Sequence, residues 1–342
     1  MSEHVQRLEE TAKAMVASGK GLLAIDESLP TIKKRFDSIN IESTEENRRA
    51  YRDMLITAPG AGDYISGMIL FDETIRQSTS TGVPFPKALM DQGIMPGIKV
   101  DAGARELAGH PGEKVTEGLD KLRERLTEYK EMGARFAKWR AVITIGENIP
   151  SSACIEANAH ALARYAALCQ EAGIVPVVEP ETLMDADNTI ETCYNVTERT
   201  LITLFNELYR QGVAFEHTIL KVNMVISGKK CPVQAGVQEV ADQTVRCLLN
   251  TVPASIPGIV FLSGGQSSTL ATVHLNAMNA SYKDLPWPLS FSYGRALQEN
   301  ALKTWAGKAE NVENATRVLL HREKMNGLAC LGKYSEQMEQ AA

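Results

Sequence analysis

A lysine set in an apolar run is the residue in this sequence best suited to covalent chemistry. Lys221 lies in Ile219-Leu220-Lys221-Val222. A lysine attacks a ketone only as the free amine, so its pKa must fall from about 10.4 towards neutrality, by burial or by a neighbouring positive charge. Lys138, in Phe136-Ala137-Lys138-Trp139-Arg140, is a candidate for that charge. The resulting imine, once protonated, withdraws electrons, and a C–C bond beside it can break or form without a metal or a cofactor. The histidines point the same way. His4, His110, His160, His217, His274 and His321 show neither H-x-H nor H-E-x-x-H spacing, so a zinc-dependent route has no evident ligand set. Each reads as a surface or capping residue.

Two short loops are suited to phosphate. Ser263-Gly264-Gly265 offers backbone N–H groups unobstructed by side chains, just before a helical stretch from Ser267 to Asn279. Ser292-Tyr293-Gly294-Arg295 adds a glycine and a guanidinium at another helix start. A ligand with phosphate at both ends needs a second anion site, which Lys33-Lys34-Arg35 with Lys99 and Arg140 could supply. The alternative for the Lys33 end of that cluster is a solvated helix face.

Such groups act together only if the fold converges them. Eight short apolar or β-branched runs recur along the chain: Gly21 to Ile25, Tyr64 to Phe71, Ile94 to Val100, Phe136 to Ile143, Ile174 to Val178, Thr218 to Val225, Ile259 to Leu262 and Leu289 to Tyr293. Several are apolar throughout, as parallel strands covered by helices are. Helical patterns separate them. Ser43 with Glu46 reads as a capping box for Glu45 to Leu55, and Leu201, Leu204, Phe205 and Leu208 share one helical face. Gly173 and Gly212 stand as helix stops. This alternation predicts an α/β fold, a (β/α)8 TIM barrel with extra N- and C-terminal helices; an open doubly wound sheet is the alternative. The whole of 1–342 reads as one barrel domain, with C-terminal helices and tail from about residue 300.

In a barrel, reactive groups gather at the C-terminal strand ends. Here those ends carry Asp26 and Glu27, Lys99 and Asp101, Lys138 and Arg140, Glu179 and Glu181, Lys221, Ser263 to Gly265, and Ser292 to Arg295. Lys138 and Arg140 share a strand face, and so do Glu179 and Glu181 if their strand continues through Pro180.

Bulk properties narrow the function classes. The 342 residues are 44% hydrophobic and 23% charged, ordinary for a soluble globular protein. With 36 Lys+Arg against 42 Asp+Glu the formal net charge is -6, so no global field favours nucleic acid or an anionic membrane. Six scattered cysteines without a C-x-x-C pair fit a reducing cytoplasm. Met1 to Val16 reads as an amphipathic helix rather than a signal peptide, and no run approaches the length of a membrane span.

Against this background the chain resembles the class I fructose-bisphosphate aldolases. The matching segments are G-K-G-L-L-A-I-D-E-S (19–28), T-E-E-N-R-R-A-Y-R (44–52), P-G-I-K-V-D (96–101), A-R-F-A-K-W-R (134–140), G-I-V-P-V-V-E-P-E (173–181), L-K-V-N-M-V (220–225), F-L-S-G-G-Q-S (261–267) and F-S-Y-G-R-A-L-Q (291–298). The resemblance implies that Lys221 forms the Schiff base and that Glu179 is the main proton-transfer residue. It implies that Asp26 takes the C4-hydroxyl proton, that Lys138 assists carbinolamine chemistry, and that Glu181 orients the lysines. Ser263, Gly264, Gly265, Ser292, Gly294 and Arg295 would hold the 1-phosphate, with Arg35, Lys99 and Ser28 towards the 6-phosphate. The substrate would be fructose 1,6-bisphosphate, the cofactor none and the assembly a homotetramer. Sedoheptulose 1,7-bisphosphate cleavage is an alternative, and a binding or scaffold role another. The chain departs from the family pattern at Val222, at Leu29-Pro30-Thr31 and after Tyr334, where no aromatic residue follows to match the C-terminal tyrosine of animal members.

Overall fold

All eight expected runs become strands of one closed parallel barrel. A computed structural model describes residues 3–341. Its strands are β1 (Gly21–Ala24), β2 (Ile65–Leu70), β3 (Met95–Lys99), β4 (Gly103–Glu106), β5 (Lys114–Glu117), β6 (Phe136–Ile143), β7 (Val175–Thr182), β8 (Ile219–Val222), β9 (Ile259–Phe261) and β10 (Leu289–Tyr293). The barrel closes in the order β1-β10-β9-β8-β7-β6-β3-β2, and the open-sheet alternative falls with that closure. β4 and β5 form a separate antiparallel hairpin, which the sequence pattern did not announce.

β7 is longer than expected, and the reason lies in the pairing. Its odd-numbered neighbours Val175 and Leu183 donate their N–H groups towards β6, to Arg135 and Ile143 carbonyls, while Thr182 N–H turns to the Asn223 side chain on the β8 side. Pairing with β8 extends only through Val178 opposite Leu220. The N–H that Pro180 lacks therefore faces a place where the ladder has already ended, and the strand runs on to Thr182.

Strand alternation divides the core in two. Leu23, Trp139, Val178, Leu220 and Phe261 point outwards and pack under the helices. Leu22, Ala24, Ile69, Phe136, Val175, Val177, Ile219 and Val260 point into the barrel, where Leu8, Ala12 and Met15 of the helix Glu3–Met15 close its lower end. Gly67 and Gly97 make room for the Phe136 ring, which would overlap a Cβ at either position. Met1 and Ser2 of the expected N-terminal helix, and Ala342 of the tail, lie outside the described residues.

Several local expectations are corrected. The cap of helix Glu45–Ile56 is Thr44, whose hydroxyl accepts the Asn47 N–H at 3.1 Å, rather than Ser43. His217 and His274 are buried rather than superficial, and His274 Nδ1 lies 2.6 Å from Gln266 Oε1. Beyond the barrel come helices Arg295–Trp305 and Val312–Cys330 and a short 3-10 turn at Glu336–Ala341. Among the described residues no helix is long and apolar enough to cross a membrane.

Candidate active site

The same alternation that fills the barrel floor with hydrocarbon lines its upper end with charge. Residues two apart on a strand share a face, so the inward rows run Leu22-Ala24-Asp26, Phe136-Lys138-Arg140, Val175-Val177-Glu179-Glu181 and Ile219-Lys221. The chain thus changes from apolar to ionised within one row, at about the level of Lys138, Glu179 and Lys221. Above that level a cavity of about 940 Å³ opens, and the candidate residues from the sequence line it, apart from Lys33, Lys34 and Tyr293.

At the floor of the cavity four side chains form a connected ion-pair network. Glu179 Oε1 lies 3.0 Å from Lys221 Nζ, and Glu179 Oε2 lies 3.3 Å from Lys138 Nζ. Lys138 Nζ also meets Asp26 Oδ2 at 2.7 Å. Lys138, Glu179 and Lys221 are only 3%, 3% and 4% exposed, so little water screens these pairs. The 3.3 Å contact is an ion pair without hydrogen-bond geometry, which leaves Glu179 Oε2 with a lone pair free for a ligand.

Charge states follow from the competition between burial and partners. Burial opposes ionisation of Glu179, yet Lys221, Lys138 and Arg140 outweigh it and hold the carboxyl below its ordinary range. Asp26 is likewise lowered despite its burial, first by Lys138 and then by Lys221. Burial also opposes the Lys138 ammonium, but Asp26 and Glu179 push its pKa above the ordinary lysine range. Lys138 is therefore a neutralised cation, balanced by two carboxylates, rather than an unopposed charge beside Lys221.

One wall of the cavity carries guanidinium and ammonium groups. Arg140 Nε meets Glu181 Oε2 at 2.5 Å, so Glu181 is engaged by an arginine rather than by a lysine. Lys99 Nζ donates to the Asp101 carboxylate at 2.6 Å and to its carbonyl at 2.8 Å. Asp101 in turn receives the Arg140 and Gly103 backbone N–H groups, which joins β6 to the start of the β4–β5 hairpin. Ser28 stands at the N-terminal boundary of the helix Leu29–Asp37, its hydroxyl on Thr31 Oγ1 at 3.1 Å, and the helix register separates the basic run: Arg35 faces the cavity and pairs with Glu27, while Lys33 turns to solvent and pairs with Asp37 at 2.7 Å. The solvated-face alternative for Lys33 is the one realised.

Glu27 is a buried hub that sequence reasoning left without a role. It also pairs with Arg52 at 2.8 Å and accepts from Gln298 Nε2 at 2.9 Å. Arg52 lies within a recognisable segment, but only the folded chain brings it beneath Arg35.

A second stretch of wall is made by the two glycine loops, with Gly294 beside Arg35. Gly264 and Gly265 adopt φ of 55° and 84°, left-handed values that glycine takes without strain. Ser267 then caps helix Ser268–Ser281 by accepting the Leu270 N–H at 3.1 Å. Arg295, at the start of its helix, donates from Nη2 to the Gln266 carbonyl at 3.1 Å and ties the loops together. Ser292 Oγ is buried against the cavity with no hydrogen-bond partner among the described residues, so its capacity is available to a ligand. Lys229, Asp185 and Met184, which the sequence pattern did not single out, also line this wall.

A buried amine beside a bridging carboxylate, flanked by two anion-holding walls, can perform imine chemistry on a phosphorylated ketone. Among the described residues no group of three His, Cys, Asp or Glu side chains is arranged to hold a metal ion. The sequence profile described as "Fructose-bisphosphate aldolase class-I" matches residues 7–342. A relative from Xanthomonas campestris, the "Probable fructose-bisphosphate aldolase class 1", is 65% identical over 331 residues, 96% of this chain and 99% of its own length. The "Fructose-bisphosphate aldolase 4, cytosolic" of Arabidopsis thaliana is 54% identical over 316 residues, 92% of this chain and 80% of its own. Among solved structures, the Plasmodium falciparum fructose-bisphosphate aldolase, in a ternary complex with TRAP and a small-molecule inhibitor, superposes with a TM-score of 0.96. It is 49% identical, over 98% of this chain and 97% of that one.

Proposed function

The chain belongs to the class I fructose-bisphosphate aldolase family, and we propose that within this family's reaction Lys221 is the nucleophile, Glu179 its proton-transfer partner and Asp26 the base for the C4 hydroxyl. The enzyme is a lyase that reversibly cleaves fructose 1,6-bisphosphate to dihydroxyacetone phosphate and glyceraldehyde 3-phosphate through a lysine Schiff base.

The single observation that carries the assignment is the carboxylate of Glu179 bridging Lys221 and Lys138, with Asp26 on the far side of Lys138. Lys221 must surrender a proton before it attacks, and Glu179 Oε1 at 3.0 Å is the acceptor in reach. Attack at the C2 ketone forms a carbinolamine. Proton return from Glu179 expels water and leaves the iminium. Asp26, held ionised, then takes the C4-hydroxyl proton; the C3–C4 bond breaks and its electron pair flows into the iminium, giving an enamine and the aldehyde product. Protonation at C3 and hydrolysis release the ketone and restore the amine. Lys138 stays charged throughout, balances the two carboxylates and donates to the substrate hydroxyl at C4.

The Ser263–Gly265 and Ser292–Arg295 loops take the 1-phosphate, and Arg35, Lys99, Arg140 and Ser28 the 6-phosphate. Glu181 orients Arg140 rather than the lysines. We read the chain as a single barrel domain that assembles as a homotetramer in the cytoplasm. Ile202 and Tyr209, 46% and 78% exposed on helix Ile190–Arg210, are candidate interface side chains, and the cytosolic relative supports the compartment.

Borohydride reduction in the presence of dihydroxyacetone phosphate, followed by peptide mass mapping, is the test. A stable adduct on Lys221 is expected. Lys221→Met should fold normally and lose both the adduct and turnover; turnover retained in that variant would move the nucleophile elsewhere.

A further inference from the structure

The loop after β8 carries a cation that the reaction scheme leaves unused. Lys229 reaches across to the phosphate loop after β9. Its ammonium occupies the space beside Gly265: a Cβ there would overlap Nζ and come within 2.6 Å of Cε. Only glycine admits this approach.

Lys229 is held there by backbone. Its N–H donates to the Met184 carbonyl at 2.7 Å, and the flanking Gly228 and Lys230 N–H groups donate to Asn188 and Ala186 carbonyls at 2.8 and 3.0 Å. Gly228 is itself obligatory, because a Cβ would come within 2.6 Å of Asn188 Oδ1 and meet the Ala186 carbonyl. The loops after β7 and β8 are thereby laced together under the lysine. Among the described residues its ammonium is paired only with Asp185, at 2.8 Å, and Asp185 is 67% exposed, so water weakens the partnership. Lys229, Asp185, Gly264 and Gly265 all line the same wall of the cavity.

We propose that Lys229 is a further phosphate-binding residue: it exchanges Asp185 for an oxygen of the substrate phosphate seated on Gly264 and Gly265. Two left-handed glycines supply N–H groups on one side of that anion and Arg295 the guanidinium on another; Lys229 supplies the second positive charge. Asp185 is the counter-ion that holds the ammonium in place while the site is empty and competes with the incoming phosphate. The inference rests on the Ser263–Gly265 loop being the 1-phosphate site.

Steady-state kinetics on fructose 1,6-bisphosphate and on fructose 1-phosphate test it. Lys229→Met should raise KM for both substrates about tenfold, the worth of one charge-assisted hydrogen bond at a half-exposed site, with kcat within about twofold of the parent. Asp185→Asn should act in the opposite direction and lower KM about two- to threefold, an effect that a purely structural role for Lys229 would not produce. An unchanged KM in Lys229→Met, or a rise confined to the bisphosphate, overturns the proposal. Gly265→Ala and Arg295→Ala separate it from its premise. If those two raise KM for fructose 1-phosphate and Lys229→Met does not, only the Lys229 inference falls. If none of the three raises it, the phosphate does not sit in this loop and both readings fall.

Discussion

Lys138→Met exposes how the floor of the barrel balances its charge. The ammonium lost is 3% exposed and contacts Asp26 at 2.7 Å and Glu179 at 3.3 Å. Removing one member of a buried ionic cluster costs about 3–5 kcal/mol, because its partners are left uncompensated. Lys221 still faces Glu179 at 3.0 Å, so among the described residues only Asp26 loses its direct ion-pair partner, and about 3 kcal/mol at pH 7 is expected. With an unfolding entropy of roughly 2.1 cal/mol/K per residue, the melting temperature falls by about 4 °C. The pH dependence has a defined sign. Asp26 and Glu179 are depressed below ordinary values of 3.8 and 4.5, so their contribution is full above those values and is lost as pH falls through the lowered ones. Lys138 is raised above 10.5, so its contribution is full below that value and is lost as pH rises through the raised one. The deficit of the variant should therefore be flat from pH 4.5 to 10.5 and shrink below it, as the stranded Asp26 carboxyl takes up a proton. Equilibrium urea unfolding of parent and variant from pH 3 to 9 measures it. A deficit under about 1 kcal/mol at pH 7, or one that grows on acidification, refutes the reasoning.

Two other perturbations probe the scaffold. Gly97→Ala forces a methyl to within 2.7 Å of Phe136 Cε1 and should cost about 1–3 kcal/mol in thermal unfolding, part of it recovered when Phe136→Leu is added; a neutral Gly97→Ala contradicts the packing account. His274 is buried with its pKa lowered by desolvation from 6.5 to about 4, so the unfolded chain binds the extra proton first and stability falls as pH drops from 6.5 towards 4. His274→Gln should flatten that limb of the stability profile, and an unchanged profile would remove His274 as its source.

Much of the site was legible before folding because chemistry and period coincide. An apolar strand interrupted by an inward lysine is costly unless that lysine is used, and the repeat of strand and helix says where such residues converge. The misreadings have specific causes. Ser43 and Thr44 are adjacent hydroxyls that can both cap, and which one does depends on where the chain enters the helix. Pro180 looked like the end of a strand because a missing N–H matters only where a partner carbonyl waits, and none does. β4 and β5 are short, largely unburied strands without an apolar run, so their pairing leaves almost no periodic trace.

The sequence by itself determined the barrel, the lysine set in an apolar strand and the two glycine loops, since these rest on local composition and on periods of two and 3.6 residues. Tertiary structure decided the partnerships: that Glu179 lies between two lysines, that Glu181 belongs to Arg140, that Arg35 stands on Glu27 and Arg52, and that Lys229 overhangs Gly265. Each joins residues from different strand ends or loops. Their distances are set by barrel closure and by how far each loop reaches, quantities that no local pattern encodes.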